Sequence, residues 1–336
     1  MIDEAATARL RAWLLAHVEG LADDGDLAVE VVSGGASNLT LGVTLGDRRL
    51  VVRRPPIGHF LPTAHDMGRE HRVYDALRHT PVPVPDALGL CEDESVIGAP
   101  FYVMARLDGI VPHGPDDLAG AGPDTNAATA AGYVRILGDI HAVDVDRVGL
   151  GGLAKREGYL ERQVARWTDQ WARSKEVDSP EIDALSVRLQ RGMPRQEETT
   201  LVHGDYRLGN VMLDAADTGR VVAVFDWEMA TLGDPRSDLG YALLWWGSGD
   251  RPIAHPSQAV ADLPGFPTGP ELVDRYAART GRDGADVAWY VALAAFKLAV
   301  IGEGQRARLR RTGGDNAAPQ SAQPLAAWAL ANLPAT

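Results

Sequence analysis

The sequence predicts an α+β fold in which a five-stranded antiparallel sheet precedes a mainly helical part. Three observations carry that expectation. Short apolar runs bounded by Gly, Pro and Asn crowd the chain before Leu107, helical spacing takes over after Gly109, and a single β-hairpin interrupts the helices between residues 200 and 226. With 336 residues and 45% hydrophobic content the chain is long enough for a sizeable core. We expect two domains, 1–105 and 106–336.

The elements follow in order. Leu10, Leu14 and Leu21, with Val18 between them, recur at helical spacing, so Asp3 to Leu21 reads as an amphipathic helix. Leu27 to Val32 and Leu39 to Leu45 read as strands separated by Ser33-Gly34-Gly35-Ala36-Ser37-Asn38. A third strand, Arg48 to Arg53, follows the Gly46-Asp47 turn. Asp66 to His79 is a helix by its Val73 and Leu77 face, with Glu70 on the same side. The run Pro81 to Pro85 forces an extended connection. Strands at Ala87 to Cys91 and Phe101 to Leu107 complete the sheet. Beyond a polar loop ending at Gly122 come helices capped at Asp124 or Thr125, from Arg156 to Arg173, and from Ser179-Pro180 onward. After the hairpin, helices are expected from Ser237 to Trp246, Glu271 to Thr280 and Gly284 to about Arg308. The Ala- and Pro-rich tail from Asn316 reads as partly disordered or a loosely docked helix.

Composition narrows the function. A net charge of −13 argues against general nucleic-acid binding, which needs clustered Lys and Arg, and suits a cationic ligand such as a polyamine sugar. The single cysteine, Cys91, fits a packed core thiol in a reducing cytoplasm and leaves no cysteine cluster for zinc. The start, MIDEAATARLRAW, lacks the basic-then-apolar order of a secretory signal. The most apolar run, Tyr290 to Ile301, is broken by Lys297 and is expected to fall short of a membrane span. No membrane partner is expected.

Most of the polar chemistry lies in 200–240. Leu201 and Val202 run into His203, Gly204 and Asp205; Asn210 follows at a fixed offset; the run Val221 to Phe225 delivers Asp226. This is a hairpin with a ligand at each mouth. The spacing suits phosphoryl transfer from a nucleotide. Magnesium takes one or two protein oxygens and leaves the rest to phosphate and water. Asn210 and Asp226 fit those posts. A separate carboxylate must hold the acceptor hydroxyl and take its proton, and Asp205 fits that one. Singly, each such residue is more often a cap or a satisfied core group, but the ordered set favours the functional reading.

The pattern H-G-D-Y-R-L-G-N, then F-D-W-E and G-D-P-R-S-D-L, resembles the signature of the aminoglycoside phosphotransferase family, relatives of the protein kinases. The resemblance covers about residues 26 to 310. It implies a bilobal protein-kinase-like fold, ATP and Mg2+ as cofactors, Asp205 as catalytic base, Asn210 and Asp226 as metal ligands, and His203 as a residue that shapes the catalytic loop. It also implies that Asp238, and with it Asp234, braces that loop; the alternative for Asp238 is a plain first-turn acid favoured by the helix dipole.

The same resemblance gives the first part of the chain its posts. Ser33, Gly34, Gly35, Ser37 and Asn38 would clamp phosphate through backbone N–H groups, although small residues between strands also make an ordinary hairpin turn. Arg53 stands where kinase-like proteins have lysine, and Glu70 would orient it. Arg53 and Arg54 point to opposite sheet faces, so only one can enter the cleft. An arginine fork differs from a lysine point charge, which motivates a rival reading, a nucleotide-binding pseudokinase. Met104 and Arg106, at the end of the last strand, would contact adenine.

The acceptor is expected to be a small molecule, because only a tight turn separates Asp226 from the helix at Ser237, where a protein kinase needs a long activation segment. VRRPPIGHFLPTAHDMGREHRVYDAL and FKLAVIGEGQRARLRR resemble the phosphotransferase branch found fused to acyl-CoA dehydrogenases. That implies hydroxyacyl-CoA as a substrate class, with Arg306, Arg308, Arg310 and Arg311 receiving CoA phosphates; the alternative is a solvated helix face.

Overall fold

The structure, a computed structural model, describes residues 2–34, 38–55, 66–176, 178–253, 255–312 and 322–334. Gly35 and Ser37 lie outside them. The chain forms two compact units, Met1–Gly109 with Val222–Glu228, and Ile110–Val221 with Met229–Thr336.

The first unit opens with helix α1 (Glu4–His17), whose N-cap Asp3 accepts the Ala6 N–H at 2.7 Å. Strands β1 (Ala28–Gly34), β2 (Leu39–Leu45), β3 (Arg48–Arg54), β4 (Ala87–Cys91) and β5 (Phe101–Ala105) form the five-stranded sheet, in the order β1-β2-β3-β5-β4 with every pair antiparallel. Leu10 and Leu14 of α1 pack on Leu41, Val43, Val52 and Val103 to make one core, which also takes in Cys91. β1 runs two residues further than expected, past an irregularity between Val31 and Ser33, so Ser33 and Gly34 belong to the strand, paired with Thr40 and Leu39. Helix α2 (Met67–Leu77) starts at Asp66, which accepts the Arg69 N–H, and turns Glu70, Val73, Tyr74 and Leu77 inward.

The second unit holds helices α3 (Pro123–His141), α4 (Tyr159–Ser174) and α5 (Pro180–Arg191), then strands β6 (Thr200–Val202), β7 (Val211–Leu213), β8 (Val221–Val224) and β9 (Thr231–Gly233), with β8 leaving it after Val221. Strand β7 pairs with β8, and Asp214 N–H donates to Arg220 O across the turn, so the expected hairpin is present. Strand β6 pairs with β9. Helices α6 (Arg236–Leu244), α7 (Gly269–Thr280), α8 (Val287–Thr312) and α9 (Ala322–Asn332) follow. Their core gathers Trp167, Trp171, Leu185, Tyr290 and Phe296.

Two expectations are corrected here. The apolar run around Tyr290 belongs to a helix whose 25-residue stretch Val287–Arg311 is long and apolar enough to cross a membrane by length and composition, although 56% of its most apolar part is buried within the fold. Its apolarity has a structural cause: α8 packs against α4, α5, α6 and α9. A core helix covered on several sides is apolar nearly all round. The described part of the tail, α9, is not loosely docked either. Leu325, Ala326 and Ala329 of α9 are buried in the same core, because small residues at helical spacing let α9 approach α5 and α8 closely.

Candidate active site

In the second unit β6 ends at Val202 and the chain turns at His203 and Gly204. The turn requires glycine. Gly204 has φ 84°, and a Cβ there would stand 2.7 Å from the carbonyl oxygen of Met229. The next residue is Asp205. Asn210 reaches back to it, its Nδ2 donating to the Asp205 carbonyl at 2.8 Å and to Oδ2 at 2.7 Å. Both amide hydrogens are thereby used, which fixes the amide plane and leaves Oδ1 as the asparagine's free-turning ligand atom no longer; it is held in one direction. Asp205 N–H donates to His203 Nδ1 at 3.2 Å, so that ring nitrogen is the acceptor. His203 is wholly buried and serves the loop's shape.

Asp238, on the first turn of α6, accepts the backbone N–H groups of His203 and Gly204, each at 2.7 Å, one on each carboxylate oxygen. His141 of α3 lies with Nε2 3.3 Å from Asp238 Oδ2, while its Nδ1 sits 2.7 Å from the Tyr276 hydroxyl. Burial pushes Asp238 up, but the hydrogen bond and charge of His141, the nearby His203 and the Gly204 N–H outweigh it, and the carboxyl lies below its usual range. Asp238 therefore braces the loop. Asp234 does not: it holds Arg236, through Nε at 3.1 Å and Nη2 at 2.9 Å, and the Tyr290 hydroxyl at 2.8 Å, tying the start of α6 to α8.

Two groups around Asp205 were not singled out as site residues in the sequence. Lys297 of α8 donates to the Gly204 carbonyl and its ammonium stands 4.8 Å from the centroid of the Tyr241 ring. The signal for it was the one charge inside an apolar helical run. Tyr241 is buried, and burial with the Asp205 charge pushes its phenol well above the ordinary value.

In the first unit Arg53 is the centre of a second cluster. Nη1 meets Glu70 Oε1 at 2.8 Å and Nη2 meets Asp226 Oδ1 at 2.7 Å. Arg54 faces the other way, with Nη1 on the Pro55 carbonyl at 3.0 Å. Burial would lower Arg53, but Glu70, Tyr102 and Asp226 together raise it well above the ordinary arginine value. Glu70 is pushed from 4.5 up to about 7: burial and the charges of Asp226 and Glu228 outweigh Arg53. Asp226 sits at φ 67°, a left-handed conformation that costs a non-glycine residue energy and that clusters at functional sites. Its N–H donates to the Tyr74 hydroxyl at 3.2 Å, a contact that helps hold the strained residue. Nearby Asn38 Nδ2 donates to Glu228 Oε2 at 3.2 Å.

Ser33 and Gly34 are strand residues paired with β2. Met104 is buried in β5 opposite Val51. Arg106 pairs with Glu30 and gives its N–H to the Arg49 carbonyl at 3.2 Å, so its side chain is engaged along the sheet. On α8, Arg306 meets Glu303 at 2.8 Å and Arg311 meets Glu176 at 3.0 Å, with Arg310 within 3.8 Å of both acids.

Taken each by itself, the amide oxygen of Asn210 and the Asp226 carboxylate, of which Arg53 engages only Oδ1, are hard oxygens of the kind magnesium prefers. No group of three or more His, Cys, Asp or Glu able to hold a metal occurs among the described residues.

The model of the phosphotransferase enzyme family (APH) matches residues 28–290. Acyl-CoA dehydrogenase family member 10 of Mus musculus is 39% identical over 275 residues, covering 80% of this chain and 25% of its own. Family member 11 of Rattus norvegicus is 35% identical over 305 residues, 89% of this chain and 39% of its own. The chain thus spans between a quarter and two fifths of these relatives. A crystal structure from Ralstonia eutropha, assigned to the aminoglycoside phosphotransferases, is 34% identical with a TM-score of 0.83, covering 99% of this chain and 98% of its own. Aminoglycoside phosphotransferase APH(4)-Ia, in a ternary complex with ADP and hygromycin B, shares the fold at 15% identity and a TM-score of 0.66, over 97% of this chain and 99% of its own. The expected α+β, bilobal kinase-like fold is the fold of this chain.

Proposed function

The chain belongs to the phosphotransferase enzyme family (APH) and is a small-molecule phosphotransferase; from that premise we propose that it moves the γ-phosphoryl group of Mg-ATP to an alcohol, with Asp205 as the base. The observation that carries the reading is the Asp205–Asn210 pair. A carboxylate at a strand end is tied by 2.7 and 2.8 Å bonds to an amide that the same bonds orient, on a loop whose backbone N–H groups are held by a buried carboxylate. A side chain so restrained keeps an acceptor hydroxyl in line and takes its proton as the bond to phosphorus forms.

The other roles follow from the same chemistry. When bound, the magnesium ion neutralises charge on the transferring phosphate; Asn210 and Asp226 are the residues that would hold it. Arg53 would grip the nucleotide's phosphates while Glu70 fixes its direction, the work that lysine does in kinases. Asn38, Ser33 and Gly34, with Gly35 and Ser37, would line the phosphate clamp, and the backbone at Met104 to Arg106 the adenine site. Use of ATP is supported by the ADP complex of the APH(4)-Ia neighbour.

Hydroxyacyl-CoA is the acceptor class suggested by the acyl-CoA dehydrogenase relatives. The α8 arginines give it little support, since Arg306, Arg310 and Arg311 are paired with Glu303 and Glu176. The test is incubation of the protein with Mg-ATP and an extract of polar metabolites and acyl-CoAs, followed by mass spectrometry. Phosphorylated alcohols absent from an Asp205→Ala control are the expected result. Nucleotide binding without any such product would instead support the pseudokinase reading.

A further inference from the structure

The surroundings of Asp205 within the second unit carry a charge opposite to that of the chain. Arg207, two residues on, has Nε 3.7 Å from Asp205 Oδ2 and lays its guanidinium over the Trp245 ring, 5.2 Å from the centroid. The ring of Trp245 in turn meets His255 edge-on at 5.4 Å. Near Gly209 the same guanidinium comes together with the ring of His113: a Cβ on that glycine would stand 2.4 Å from Arg207 Nη1 and 3.7 Å from His113 Nδ1. Gly209 thus leaves room for the two basic side chains to approach each other. Arg207 Nη1 is buried and, among the described residues, has no hydrogen-bond partner. Burial, then Arg207, then His113 lower the pKa of His255.

These observations specify a ligand chemistry. A guanidinium stacked on an indole is held flat and pre-aimed, its fork suits two oxygens of one oxyacid, and its donors call for an acceptor. The histidines add two further groups that gain from a negative neighbour. Among the described residues the acid that pairs with Arg207 is Asp205, at a distance longer than a hydrogen bond, and the proposed reaction needs that carboxylate for the hydroxyl. A cationic amino sugar would meet the Arg207 guanidinium here, contrary to what the net charge of −13 suggests.

Resting on the phosphotransferase reading above, we propose that the acceptor alcohol carries an anionic oxyacid group, carboxylate or phosphate, a few bonds from its hydroxyl, received by Arg207 with His113 and His255. Short hydroxy acids and phosphorylated alcohols are the two sources of that chemistry.

The experiment uses the full chain and matched pairs: 3-hydroxybutyrate with its amide, glycerol 3-phosphate with glycerol, and glucosamine as the cationic probe. Transfer from Mg-ATP is measured as kcat/KM. The anionic member of at least one pair is expected to win by about 10- to 100-fold, the scale of a charge-assisted hydrogen bond, and the pair that shows it identifies the source. Arg207→Gln should collapse that ratio towards one, and Arg207→Lys should restore part of it; a merely structural role would lower both members alike. Inorganic phosphate binding, followed by the ring resonances of His113 and His255, should be saturable and weaken about tenfold or more in Arg207→Gln. Ratios near one, preference for glucosamine, or no saturable phosphate shift would overturn the anion site. Asp205→Ala separates the two readings. Transfer that it abolishes, with ratios near one, leaves the phosphotransferase standing without the anion site; Arg207-dependent phosphate binding with no transfer to any alcohol does the reverse.

Discussion

Each unit buries a carboxylate at the heart of its cluster, and the two are stabilised by opposite means. Asp238 is surrounded by donors: two backbone N–H groups at 2.7 Å and an imidazole at 3.3 Å. It is pulled below its usual range. Glu70 has one strong partner, Arg53, and two like charges, Asp226 and Glu228, in a buried setting, and rises to about 7. Burial costs both acids. What separates them is whether oriented donors outnumber competing charges. The loop of Asp205 is thereby fixed by short hydrogen bonds to one carboxylate, whereas the Arg53 cluster is a balance of charges that a bound anion or cation would shift.

The contrast is sharpest on removal of the donor-satisfied acid. Asp238→Ala strands two buried N–H groups and His141, and we expect a loss of about 3–5 kcal/mol in chemical denaturation. A loss under about 1 kcal/mol would mean the N–H groups find other acceptors. The next effect is a pH dependence of opposite sign in the two clusters. Glu70, raised in the folded chain, binds its proton more tightly there than when unfolded, so its contribution is fully present below 4.5 and is lost as pH rises to about 7, by on the order of 3 kcal/mol. Asp238, lowered, contributes above the ordinary carboxylate range and loses that contribution as pH falls through its depressed folded value. Glu70→Gln should therefore flatten the melting temperature between pH 4.5 and 7 and leave the acid limb intact; an unchanged slope would remove Glu70 as its source.

Smaller effects probe how each cluster is held. Lys297→Met deletes a charged donor to the Gly204 carbonyl, expected to cost about 2 kcal/mol and to slow transfer more than it weakens nucleotide binding. Equal losses in both would mark it as general packing. Arg53→Lys replaces a fork that spans Glu70 and Asp226 with a point charge, and a loss of about 1 kcal/mol is expected, read by thermal denaturation without nucleotide. No loss would show that one of the two pairs contributes nothing.

The sheet and most helices were legible because periodicity and turn residues set them locally. The offsets that singled out Asp205, Asn210, Asp226 and Glu70 were legible for a related reason: Asp205 and Asp226 follow apolar strands, Asn210 directly precedes one, and Glu70 lies on an apolar helix face. Contacts between distant segments were not. Nothing in the sequence singled out His141, yet it meets Asp238 across 97 positions of sequence. Lys297 read as a break in an apolar run, yet that run is a core helix whose ammonium reaches Gly204. Asp234 looked equivalent to Asp238 but turned to Arg236 and Tyr290, a choice made by packing. The positive φ of Asp226 leaves no trace in composition, since nothing but the surrounding structure compels a non-glycine residue into it.

The central claim is that Asp205 takes the proton of the acceptor hydroxyl. Asp205→Asn keeps the shape of the side chain and removes the base, so single-turnover transfer from Mg-ATP to the best acceptor, beside nucleotide affinity measured on the same protein, tests it most directly. The account predicts transfer slower by about 10²- to 10⁴-fold with affinity for the nucleotide little changed. Transfer by Asp205→Asn at the wild-type rate would contradict it.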